Sequence, residues 1–409
     1  MPQGSTPWQT DKWSVSPWNF APEVTKDFNF PKKIQIHDLT LRDGEQQAGL
    51  LMRKDEKVAI ARLLAEIGID RIEAGTPVVS ADDEAAIKEI VRLKLGPKIF
   101  ALARCVVADV QRAADCGIDG AIVEIPASEE MLKYAYRWPM EKAIELSVNA
   151  TRYAHERGLY TVFFPIDSTR TSMGWYLDLI TQVARGGHMD ALAIVDTAGV
   201  LSPHAIPYVV KAIRSRISQP IECHFHGDYG LAVANTIAAL AAGAEVAHLT
   251  VSGIGERAGN CPMEETVISL LTLYGQDLGI KYERLTELSH LVWKIVNLSV
   301  PSNRCIVGDT LFDIESGIIT DWYHNCGDEH ILQLFPFHWD LIGQKPVEVV
   351  YGKGSGRASV EIGLEKLGVK ATDGQIAEIM LRVKERSIQR KGLLSEAEFS
   401  EIVRATIGA

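Results

Sequence analysis

The stretch "IQIHDLTLRDGEQ" (residues 34–46) opens as a β-rich apolar run and ends in Arg42, Asp43, Glu45 and Gln46. A doubly wound open sheet wants a Gly-rich phosphate fingerprint, G-x-G-x-x-G, after its first strand, and this is not one. Charges leaving an apolar strand are expensive unless they are used. Working outward, seven further β-rich runs follow: 71–75, 99–104, 121–127, 160–166, 192–199, 221–227 and 247–255. Longer amphipathic segments separate them. "DEKVAIARLLAEIG" (55–68) has apolar residues at helical spacing and a closing Gly, and "DDEAAIKEIVRLK" (82–94) opens with acids and ends in Lys, as a helix dipole prefers. Eight strands alternating with eight helices predict an α/β fold, a (β/α)8 TIM barrel over 33–280, with its site at the C-terminal ends of the strands.

The 409 residues are 46% hydrophobic with a mean hydropathy of +0.02, an ordinary globular composition. The net charge is -11 and there is no dense Lys/Arg stripe, so no nucleic-acid partner is expected. No apolar run is long enough to span a membrane, and the N-terminus lacks the pattern of a secretory signal. The six cysteines are scattered without a C-x-x-C pair, which reads as reduced thiols in a cytoplasmic protein.

Residues 1–32 carry Trp8, Trp13 and Trp18 without helical or strand period and read as an extended arm that packs on its own body or on a partner. Beyond 280 the rhythm stops. Residues 281–409 read as an α-rich C-terminal accessory region, too short for a further regulatory domain.

Polar residues recur at the same end of many strands: Arg42, Asp43 and Gln46 on the first, Glu73 on the second, Arg104 on the third, Thr197 after the sixth. In "IECHFHGDYG" (221–230), His224 and His226 at i, i+2 share one strand face. An isolated H-x-H is more often one satisfied and one exposed histidine. With Asp43 opposite, it becomes a 2-His-1-carboxylate set that leaves open positions on a divalent ion.

"HDLTLRDGEQ", "VDTAG", "HFHGDYGLAVANT", "GIGERAGN", "PSNRCIVGDTLF" and "YGKGSGR" together resemble the 2-isopropylmalate, homocitrate and citramalate synthase family, metal-dependent barrels related to hydroxymethylglutaryl-CoA lyase. The resemblance implies a divalent metal ion (Zn, Mn, Mg or Fe) held by Asp43, His224, His226 and Asn260. It implies Arg42 and Glu73 as catalytic residues, with Gln46, Arg104, Thr197 and Arg170 binding substrate. The implied activity is an acyltransferase joining an acyl-CoA, such as acetyl-CoA, to a 2-oxo acid by Claisen-type condensation. A homodimer is implied as well.

Several positions depart from the family pattern. Ile166 stands where the synthases carry a Glu, Ile314 and Ile319 where they carry histidines, Ile122 where strand 4 has a His, and Gly227 where strand 7 is followed by Asn or Asp. The substitutions imply a more apolar pocket and a missing base, for which Asp167, Glu315 and His338 are candidates. A metal-dependent carbon–carbon lyase acting on a hydroxy acid or its CoA thioester is the alternative, and a non-catalytic barrel a third. Cys261, next to Asn260, is read as packing rather than as a catalytic thiol, and Cys223 as core.

Overall fold

The computed structural model describes residues 6–408, which form two compact units. Residues 18–300 make up the first. Its strands are β1 (Gln35–Asp38), β2 (Arg71–Glu73), β3 (Lys98–Arg104), β4 (Gly120–Pro126), β5 (Tyr160–Ile166), β6 (Ala191–Asp196), β7 (Ile221–Phe225) and β8 (Val246–Leu249). All pair in parallel, and β8 closes on β1, with His37 opposite His248. The helices between them are α1 (Lys54–Ile67), α2 (Ala81–Leu93), α3 (Val107–Ala114), α4 (Met140–Glu156), α5 (Met173–Gly186), α6 (Ile206–Arg214) and α7 (Ala232–Ala241), and α8 (Met263–Tyr274) follows β8. This is a TIM barrel.

Local chemistry sets the helix ends. Ser80 accepts the Asp83 N–H at the start of α2, and Gly68, with φ 103°, ends α1 in the left-handed region. The eighth strand is shorter than its apolar run implied, because Ser252 turns to φ 53° and the chain folds back toward α8.

At the N-terminal rim a carboxylate precedes every even strand and accepts an N–H from the start of the odd strand before it. Asp70 takes Ile36 at 3.0 Å, Asp119 takes Ile99 at 2.9 Å, Asp190 takes Thr161 at 2.8 Å and Glu245 takes Ile221 at 2.8 Å. Each has its own basic partner: Lys33, Lys98, His188 and Arg214, respectively. The barrel is thus stapled in strand pairs.

The barrel interior is divided. Phe100, Leu102, Ile122, Val162, Phe164 and Val195 form an apolar cluster on β3 to β6. His37, Arg71, Glu73, Glu222, His224 and His248 form a buried polar sector on β7, β8, β1 and β2.

α9 (Leu285–Ile295) packs against α1, so the barrel unit runs on to residue 300 rather than ending near 280. The second unit joins 301–408 with residues 6–17. Its helices are α10 (Gly317–Cys326), α11 (Arg357–Leu367), α12 (Asp373–Arg390) and α13 (Glu396–Ile407), and β9 (Asp313–Ile314) pairs with β10 (Glu348–Val349). The described start of the Trp-rich arm docks on its own chain: Trp13 bridges Phe337, Ser14 donates to the Pro336 carbonyl and Lys12 pairs with Asp340. Among the described residues, no helix is long and apolar enough to cross a membrane.

Candidate active site

His224 and His226 stand on and just after β7, and both are buried. Their Nε2 atoms are 3.1 Å apart. Asp43, from the turn after β1, brings Oδ2 to 3.4 Å from the first and 3.9 Å from the second. Burial lowers the His224 pKa well below its ordinary value. It lowers that of His226 too, against the pull of Asp43. Both imidazoles are therefore neutral at pH 7, the form that binds metal. Asn260 pairs through its backbone with His226. Its side-chain N–H donates to the Ile254 carbonyl at 3.2 Å, while its buried Oδ1 has no hydrogen-bond partner. Two imidazole nitrogens converging with a carboxylate, beside an orphaned amide oxygen, fit a divalent cation. The "GERAGN" turn is shaped for this: Gly255 has φ 149°, and a Cβ there would collide with the Asn260 amide nitrogen.

Arg42 is buried beside this cluster. Its Nε and Nη2 donate to the Glu73 carboxylate at 2.7 and 3.3 Å, and its Nη1 lies 3.1 Å from both Asp43 Oδ2 and Gln46 Oε1. Burial works against its charge, but Glu73 and Asp43 outweigh it and raise its pKa. Burial pushes the Glu73 carboxyl up, with Arg42 opposing. Lys57, wholly buried in α1, meets Glu45 at 2.6 Å and Asp83 at 2.5 Å and so pins the turn that carries Arg42 and Asp43.

The remaining expected residues are more dispersed. Thr197 accepts the Asp167 N–H at 2.8 Å through its hydroxyl. Arg170 is held on Asp167 at 2.6 Å, and its side chain is half exposed. Arg104 turns away to Asp109 on α3, with its side chain 56% exposed, so its guanidinium is held outside the cluster. Asp167 is fully engaged by Arg170 and Ser128, while Glu315 accepts the Gly354 N–H and His338 meets Asp340, both within the second unit. A Cβ at Gly227 would meet nothing nearer than the Ala258 carbonyl at 3.4 Å, so this glycine is not sterically required. Cys261 lies between Thr236 and Thr266, and burial pushes its thiol up to about 12, which makes it inert.

Two features escaped the sequence reading. A second set of ligand-type residues, His37, Glu222 and His248, lies in the polar sector. Here Glu222 accepts from Arg71 at 2.7 Å and meets His248 Nε2 at 2.6 Å, a hydrogen-bonded network already built around a guanidinium. The i, i+2 spacing back from His224 to Glu222 was the available signal. The other is Glu124. It lies two residues beyond buried Ile122 and so on the same inward face of β4, with Arg104 and Phe164 as its neighbours in register. Burial raises its pKa, opposed by Arg42.

Residues 33–292 match the HMGL-like family. Homocitrate synthase AksA of Methanothermobacter thermautotrophicus is 38% identical over 397 residues, 97% of this chain and 99% of that protein. The 2-isopropylmalate synthase of Methanocaldococcus jannaschii is 37% identical over 391 residues, 94% of this chain and 74% of that one. Among solved structures, the HMG-CoA lyase of Bacillus subtilis superposes with a TM-score of 0.60 at 23% identity, covering 67% of this chain and 97% of the lyase, a likeness of fold. With that match over most of its barrel and relatives aligned along nearly its whole length, the chain belongs to the HMGL-like family.

Proposed function

We propose that this protein condenses an acyl-CoA with a 2-oxo acid. The observation that carries the reading is the convergence of His224, His226 and Asp43 on one point, with Arg42 clamped alongside by Glu73. The names of the aligned relatives, both synthases, support it. Asp43, His224, His226 and Asn260 would hold a divalent ion, which when bound acts as a Lewis acid on a ketone.

The reaction removes one proton from the acyl α-carbon and joins that carbon to the ketone carbon. The ketone oxygen becomes an alkoxide and takes up a proton. Water then cleaves the thioester and releases the CoA thiol. Arg42 is pre-oriented for the developing oxyanion: Glu73 holds two of its nitrogens, so its charge needs no reorganisation when the alkoxide forms. Thr197 accepts from the Asp167 backbone, which leaves its own hydroxyl proton to donate to a substrate carboxylate. Cys261, buried and protonated, argues against a thiol-dependent lyase.

The test is release of free CoA from acetyl-CoA over a panel of 2-oxo acids, with and without divalent metal. Metal-dependent release with at least one acid is expected, and release with none would sink the proposal. His226→Ala should lose both turnover and bound metal.

A further inference from the structure

Glu124 is an acidic side chain set among the apolar residues of β4 and β5 at the barrel mouth. Ile122 below it on β4 and Phe164 beside it on β5 belong to the apolar cluster, and Ile166 stands one step further along β5. Glu124 is partly buried, and among the described residues no side-chain hydrogen bond or ion pair is formed to its carboxylate. Arg104, its register partner on β3, has turned outward to Asp109, and Arg42 is held by Glu73 and Asp43. A carboxylate set among apolar side chains with no protein donor on it has its acceptor positions open to a ligand.

The position says what would fill them. The residues that converge on one point come from β1 and β7, and Asn260 follows β8. In a closed ring of eight strands, β4 lies across the mouth from β8. Phe164 connects the two sides: its ring is 5.1 Å from that of His224 and 5.9 Å from the Arg42 guanidinium carbon. A small acid held by its oxo and carboxylate oxygens at the β7–β8–β1 side would extend its side chain across the mouth toward β4.

We propose that Glu124 is a substrate-contacting, specificity-determining residue, selecting a 2-oxo acid whose side chain ends in a hydrogen-bond donor such as a hydroxyl and rejecting one that ends in a second carboxylate. This rests on the 2-oxo acid reading above. It adds one acceptor to the more apolar pocket that the substitutions imply. The physical basis is asymmetric discrimination. A site that hydrogen-bonds its substrate rejects analogues lacking the group far more strongly than an apolar pocket does, and like charges at short range in a poorly solvated site repel.

The experiment uses three acids with the same four-carbon chain: 2-oxobutanoate, 4-hydroxy-2-oxobutanoate and 2-oxobutanedioate. Their affinities are measured calorimetrically on the full-length, metal-loaded protein without acyl-CoA, for the wild type, Glu124→Gln and Glu124→Leu. The wild type should bind the hydroxy acid at least about 10-fold more tightly than the diacid. Glu124→Gln should narrow that gap by about the same factor, and Glu124→Leu should favour the unsubstituted acid over the hydroxy acid. Tightest wild-type binding of the diacid, ratios unchanged in both variants, or no binding of any of the three would overturn the proposal. Because binding is read without turnover, the expected order stands even if thiol release fails with every acid, an outcome that sinks the condensation reading alone.

Discussion

His37 shows how much a single interior side chain controls. Its ring packs 4.8 Å from Phe100 and from His248, it is wholly buried, and neither ring nitrogen has a hydrogen-bond partner. Burial drives its pKa down to about 3 from an ordinary 6.5, so it folds neutral and must take up a proton on unfolding in acid. A depressed folded pKa means stability that is present above pH 6.5 and lost as pH falls toward 3, on the order of 5 kcal/mol over the window. His37→Phe should remove that slope, so that urea midpoints of variant and wild type diverge below pH 6 with the variant more stable. Cys261→Ala should keep kcat within about twofold in the thiol-release assay, since a thiol pushed up to about 12 supplies no nucleophile. At this scale the shared face of His224 and His226 was legible because period-2 alternation fixes which residues lie together. The same alternation runs from Ile122 to Glu124, but a lone carboxylate on a strand reads as a solvated charge until the strand register sets it beside Phe164. The outward turn of Arg104 depends on Asp109, a neighbour that alternation alone does not select.

The strands themselves were readable as β-rich runs, and their order in space followed from chain order because parallel strands need crossovers. Their ends were less so, since the run 247–255 continues apolar past the point where Ser252 bends the chain. The rim carboxylates were invisible as a set, because Asp70, Asp119, Asp190 and Glu245 each read as an ordinary loop acid until the strands are paired. Asp119→Ala removes the acceptor of the Ile99 N–H and should destabilise the barrel by about 1 kcal/mol. Combined with Asp190→Ala, which touches a different strand pair, the losses should add to within about 0.5 kcal/mol in denaturant titrations. Marked non-additivity would mean that the pairs are coupled through the rim.

Across the whole chain, the sequence marks a change of rhythm near 280, but the compact unit ends at 300 because α9 buries its apolar face on the barrel helix α1. No periodicity reports a contact of that kind. Nor could the arm's docking site be read in advance, since residues 12–14 meet 336–340, more than three hundred positions away. The second unit has a core of its own, in which Phe399 stacks on Tyr351 with ring centroids 3.8 Å apart, among Val360, Leu364, Ile379 and Val383. Phe399→Ala should cost about 3–5 kcal/mol there. In hydrogen exchange the loss of protection should fall on 351–407 and leave the amides of β3 to β6 slow. Uniform loss over both units would show a single cooperative structure instead.

The stapling of β1 to β2, β3 to β4, β5 to β6 and β7 to β8 also sets the grain along which this barrel can be recombined. A crossover in the loops before β3, β5 or β7 carries each carboxylate along with the strand it caps. One placed before β2, β4, β6 or β8 separates them and makes the hybrid depend on a matching acid from the other parent. The unit of exchange in this ring is the strand pair, a quarter of the barrel, rather than the single strand and helix that its eightfold appearance suggests.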